Sequence, residues 1–101
     1  MKVFVDYKGR EVRFTDERYS HILEHVEMLN MQGQIEETLN APDIVVSDND
    51  NVGLNYRHYY NTKVGNKWLC VVVKYNADDA FVLTAYLTNR IKKGEVIWKR
   101  Q

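Results

Sequence analysis

The chain has 101 residues, of which 45% are apolar and 28% charged, and its fourteen basic side chains balance fourteen acidic ones. That length predicts one domain with a single modest core, and the composition excludes a disordered or low-complexity chain. The lone cysteine, Cys70, excludes an internal disulfide framework, and neither the start MKVFVDYKGREV nor any later run is apolar enough for a leader or a membrane span, which predicts a cytoplasmic protein.

KVFVDY alternates apolar and polar side chains, Lys8-Gly9 makes a turn, and EVRF returns, so the chain opens as a β-hairpin. Thr15 then offers an N-cap, with Asp16 and Glu17 in a first turn where the helix dipole favours carboxylates. Apolar residues at 19, 22, 23, 26 and 29 follow helical spacing and predict a helix from Asp16 to Asn30. A second helix, Gln32 to Asn40, uses Ile35 and Leu39 as its apolar contacts. Pro42 stops it, because proline disfavours helical geometry in the residue before it.

The remainder reads as strands. DIVVS is short. In VGLNYRHYY, Val52, Leu54, Tyr56, His58 and Tyr60 share one face, and Gly53, Asn55, Arg57 and Tyr59 the other. A Gly-Asn turn leads into WLCVVVKY, apolar on both faces as a central strand should be. AFVLTAYLT follows, with Ala80, Val82, Thr84, Tyr86 and Thr88 predicted on one face, and EVIW ends the series. Helices segregated from strands predict an α+β fold with an antiparallel meander.

Charge divides along the chain. Residues 1–56 carry five basic and eleven acidic groups; residues 57–101 carry nine basic and three acidic ones. A basic half can attract phosphate, or it can be an ordinary mixed surface.

Candidate chemistry centres on the first helix. His21 and His25 are four residues apart, so a continuous helix carries them on one side, at the margin of the apolar stripe, where an acid or base is useful. Solvated surface histidines fit the same pattern. A shared zinc needs a third ligand, and neither HExxH nor a cysteine pair is present. Arg57, His58, Lys74, Thr84, Tyr86 and Thr88 add polar groups from the strands, and the many tyrosines can stack bases or simply build strands. There is no phosphate-cradling glycine loop, no GxSxG elbow and no nucleophilic setting for Cys70. Acid–base chemistry with cationic stabilisation remains.

RYSHILEHVEM, IEETLNAPDIVVSDND, KWLCVVVKY and FVLTAYLTNRIKKGEVIW together resemble the phage-associated nuclease-like domains of the barnase–EndoU–colicin–RelE superfamily, over about residues 14 to 98. The family's helix motif HxxxHPE stands here as His21 to Glu27, with Val26 in place of proline. The resemblance implies an α+β fold with N-terminal helices packed on a curved antiparallel sheet; with the elements read above, the expectation is an N-terminal β-hairpin and two helices on a sheet of about four to six strands. It also implies RNA cleavage without a metal or other cofactor.

Two functions follow. In the first, His21 or His25 takes the proton from a ribose 2′-hydroxyl, which attacks the adjacent phosphorus. Lys74 and Arg57 stabilise phosphoryl charge, the other histidine or Tyr86 protonates the leaving oxygen, and Thr84, Thr88 and His58 hold the substrate. In the second, the chain is a non-catalytic module that binds RNA or a protein, such as an inhibitor or antitoxin. A homodimer through a sheet edge is a further possibility.

Overall fold

The computed structural model describes residues 1–101. The order along the chain is β1 (Lys2–Val5), β2 (Glu11–Phe14), α1 (Asp16–Ile22), a single 3₁₀ turn (Val26–Met28), α2 (Gln32–Asn40), β3 (Ile44–Asp48), β4 (Val52–Thr62), β5 (Gly65–Tyr75), β6 (Ala80–Thr88) and β7 (Glu95–Lys99).

All seven strands join one sheet in the order β1-β2-β6-β5-β4-β3-β7. This corrects the expected antiparallel sheet of four to six strands. The opening hairpin is built into the sheet rather than set beside it, and β2 meets β6 in parallel through Arg13 and Phe81. The sheet is therefore mixed. Its parallel joint is secured by side chains: Arg13 Nε and Nη2 donate to both oxygens of Asp79 at 2.8 and 2.7 Å, and its guanidinium lies 5.5 Å over the Phe81 ring.

The first helix also differs from expectation. It starts where Thr15 predicts, with Thr15 Oγ1 accepting the Arg18 N–H at 3.2 Å, but it stops at Ile22 rather than Asn30. His25 is extended (φ −93°, ψ 109°), and Asn30 turns the chain through a left-handed conformation (φ 63°). The break exchanges one set of buried residues for another. Val26 is left 70% exposed, while Met28 and Met31 enter the core. Burying two such side chains stabilises by roughly 1.5–3 kcal/mol each, more than two further helical turns contribute by themselves.

α1, the 3₁₀ turn and α2 cover one face of the sheet. Ile22, Met28, Met31, Ile35 and Leu39 meet Leu69, Val71 and Val73 of β5 and Val82 and Ala85 of β6 in the main core. The hairpin turn closes over the same face, and Tyr7 packs on Trp98 of β7 at 5.2 Å between ring centroids. On the opposite face Val46, Leu54, Tyr56, Cys70 and Val72 form a second, smaller cluster. Its cover is the segment 89–94, which leaves β6 near the middle of the sheet and crosses to β7 at the far edge. Ile91 packs into that cluster, and the Lys92 N–H donates to the Tyr56 hydroxyl at 3.0 Å.

Candidate nucleic-acid interface

The residues singled out from the sequence are divided by the sheet. His21 and His25 belong to the helix-covered side and are exposed there, each 68% accessible. His21 Nδ1 lies 2.9 Å from Glu24, and His25 Nδ1 lies 3.6 Å from Glu27. Because the helix ends between them, they do not form the expected pair on one face. Arg57 is on the same side of the sheet but is committed to structure: Nη1 donates to the Ala41 carbonyl at 2.5 Å, and Nε lies 3.4 Å from Glu37.

Lys74, Thr84, Tyr86, Thr88 and His58 lie on the other face. The register places Lys74 opposite Val52 and Thr88 opposite Trp68, six residues apart along β5, or about 20 Å at the strand rise. Lys74 Nζ donates to the Asp50 carbonyl. Thr88 exchanges hydrogen bonds with the backbone of Arg90 at 3.3 Å, which ties it into the start of the crossing segment. Tyr86 is half-buried against Cys70, and burial pushes its hydroxyl pKa upward, away from the range of an efficient acid at neutral pH. Burial also moves the Tyr56 hydroxyl up to about 12 and the Cys70 thiol up to about 11, so Cys70 is a packing residue. The five proposed catalytic residues thus share no cleft. No group of three or more His, Cys, Asp or Glu side chains is placed to hold a metal ion, and no helix is long and apolar enough to cross a membrane.

A bulge explains one further difference. The pairing of β5 with β6 shifts between Val72 and Val73, and Leu83 is the extra residue. Ala80 and Val82 therefore face the helices, while Thr84, Tyr86 and Thr88 face the other way. Strict alternation had put all five together.

A different group of side chains does converge. The alternation of β4 carries His58 and Tyr60 onto the face away from the helices. There His58 meets Tyr60 at 4.7 Å and Trp68 at 5.1 Å between ring centroids, edge to face in both cases. Tyr60 is 73% exposed. Next to these rings is a groove of about 350 Å³ whose lining includes Asp43, Ile44, Trp68, Ile91, Lys99 and Arg100. Arg100 pairs with Asp43, and Lys92 pairs with Asp48 at 3.1 Å. Arg90, Lys93 and Lys99 are exposed and have no carboxylate partner. The strand pattern held the signal for Tyr60, which shares its face with His58. Trp68 was hidden in a run that is apolar on both faces, and Lys99 in the last short strand.

No protein-family model, no curated protein and no solved structure matches this chain.

Proposed function

We propose that the chain is a binding module for single-stranded RNA, which it holds on the sheet face opposite its helices. One observation carries this reading: an edge-to-face row of Tyr60, His58 and Trp68 opens beside a groove lined by Lys99, which no carboxylate neutralises, and by Arg100, which is paired with Asp43. Unstacked bases lie on exposed aromatic rings, while lysine and arginine follow the phosphates. A duplex is a poorer fit, since its bases are stacked inside and offer no free ring faces.

Each stacked base contributes about 1–3 kcal/mol as measured by alanine substitution. Each phosphate contact adds roughly −0.7 to the slope of log affinity against log salt for a single strand. A labelled oligouridine titrated by fluorescence anisotropy tests both. Tyr60→Ala should weaken binding by about 5- to 150-fold, and Lys99→Ala should lower the salt slope by about 0.7. Absence of binding at low salt, or affinity indifferent to Tyr60, overturns the proposal.

The second reading is metal-independent cleavage of the bound strand. It draws on His58, the one histidine on this face. Incubation with RNA and a chelator separates the two: intact RNA supports the binding module, and cleavage that His58→Ala abolishes supports the nuclease.

A further inference from the structure

We propose that β1 is a docking edge for an extended segment of a partner protein in which apolar and basic residues alternate. The strand lies at the end of the sheet and pairs only with β2. In an antiparallel pair, alternate residues turn their backbone groups toward the neighbour and away from it. The Asp6 N–H donates to the Arg10 carbonyl at 2.9 Å, so Phe4 faces β2, and Val3 and Val5 direct their N–H and C=O groups outward. The Asn40 side chain confirms that direction by donating to the outward Val5 carbonyl, at a loose 3.4 Å.

The outward groups border a groove of about 490 Å³ between β1 and α2, lined by Val3, Val5, Gly33, Glu36, Glu37 and Asn40. Val3 and Val5 are 48% and 43% exposed, and nothing stands within 4 Å of where a Gly33 side chain would begin. An added strand extends the sheet here by main-chain hydrogen bonds.

The surroundings decide its side chains. Residues opposite Val3 and Val5 share their face, where apolar groups are favoured; those between them point toward α2 and meet Glu36 and Glu37. Glu37 is already engaged by Arg57 and by the Tyr59 hydroxyl at 2.6 Å, whereas Glu36 has no cationic partner. Lys2 offsets only part of this charge. A second copy pairing β1 with β1 would bring both α2 helices to one side of the joined sheet and set carboxylates against carboxylates. That repulsion favours a basic partner over self-association. The opposite edge is less receptive: the pairing of β3 with β7 is interrupted by a bulge, a common device against edge pairing.

The probe is an end-blocked hexapeptide of alternating lysine and valine, titrated into the full chain and followed by backbone amide NMR. Shifts should concentrate at Val3, Val5 and Glu36, and a glutamate–valine peptide should not bind. Val3→Pro removes an outward donor without touching a bond to β2, and should weaken binding about tenfold. Glu36→Lys keeps the fold and should weaken it about three- to tenfold by reversing the local charge. Circular dichroism and a cooperative thermal transition establish that both variants are folded. Equal binding of the two peptides, binding unchanged in both variants, or a β1-dependent dimer that excludes the peptide would each overturn the proposal.

Discussion

Gly53→Ala tests how the helix-covered face is closed. A Cβ at this position stands 2.7 Å from Tyr75 Cε2 and 3.3 Å from Cδ2, where ordinary contact begins at 3.4 Å, so the ring must shift by about 0.7 Å. Tyr75 is not free to do so. Its hydroxyl donates to Asp6 Oδ2 at 3.3 Å, and the Arg10 guanidinium lies 5.4 Å above the ring. Asp6 in turn accepts the Lys8 and Arg10 N–H groups at 2.9 Å and so shapes the turn between β1 and β2. Displacing the ring therefore strains the whole turn. Overpacking of this kind costs about 1–3 kcal/mol, and removing a glycine from a strand returns about 0.5–1 kcal/mol. The net expectation is a loss between about 0 and 2.5 kcal/mol, centred near 1 kcal/mol, or on the order of 4–8 °C in Tm for a domain of this size. Thermal and urea unfolding followed by tryptophan fluorescence measures it. In a Tyr75→Leu background the clash is absent, and Gly53→Ala should be neutral or slightly stabilising. An equal effect in both backgrounds would refute the assignment of Tyr75 as the obstacle.

Two further outcomes follow from side chains already placed. His21→Ala and His25→Ala should each lower Tm by no more than about 8 °C and leave RNA affinity unchanged, because exposed pairs such as those with Glu24 and Glu27 contribute about 0–1 kcal/mol; a tenfold loss of binding in an anisotropy titration would relocate the site to the helix layer. The hydrogen bonds from Arg13 hold the Asp79 carboxyl below its ordinary value, and the Asn49 N–H, followed by Lys92, does the same for Asp48. A depressed carboxyl contributes stability above the unfolded pKa and loses it as pH falls through the folded one. The urea midpoint should therefore be flat from about pH 7 to about pH 5 and fall below about pH 4, with Arg13→Gln removing the share that belongs to Asp79. A midpoint equally steep in that variant would show that the pair does not contribute.

Local signals in the sequence were reliable where one short-range rule decides the outcome. Thr15 caps α1, Pro42 follows the end of α2, and the alternation of β4 sends Tyr56 and His58 to one face and Asn55 and Arg57 to the other. What the sequence hid depends on distant partners. The apolar stripe over residues 19–29 satisfies a continuous helix, yet Met28 and Met31 find deeper burial once the helix breaks, and no local pattern records that competition. The bulge at Leu83 is equally silent in AFVLTAYLT, and it reverses the facing of Ala80 and Val82. The parallel joint of β2 and β6 brings together segments more than sixty residues apart, fastened by Arg13 and Asp79, which in sequence are simply two charged residues. The expected site failed for these reasons: its members were grouped by helix and strand periodicity, while the sheet that came between them was set by long-range pairing.

The charge division along the chain acquires meaning only through topology. Residues 16–40 hold six acidic groups and one basic group, and they form the layer over one face of the sheet. Residues 89–101 hold five basic groups and one acidic group. Had β7 paired next to β6, these cations would have flanked the sheet near the acidic helices. Instead the chain crosses the opposite face to reach β3, pinned on the way by Ile91 in the second cluster and by the Lys92 N–H on the Tyr56 hydroxyl. The crossing packs Ile91 onto the face that bears His58 and Trp68, and β7 delivers Lys99 to the groove beside Trp68. A chain with no net charge thereby separates its charges in space, with the unpaired Lys99 and open rings together on one face and the unpaired Glu36 beside the β1 edge. Attraction between such surfaces and their ligands depends on local potential rather than on the total, so a neutral sum is no obstacle to binding phosphate on one side and a basic strand at the other.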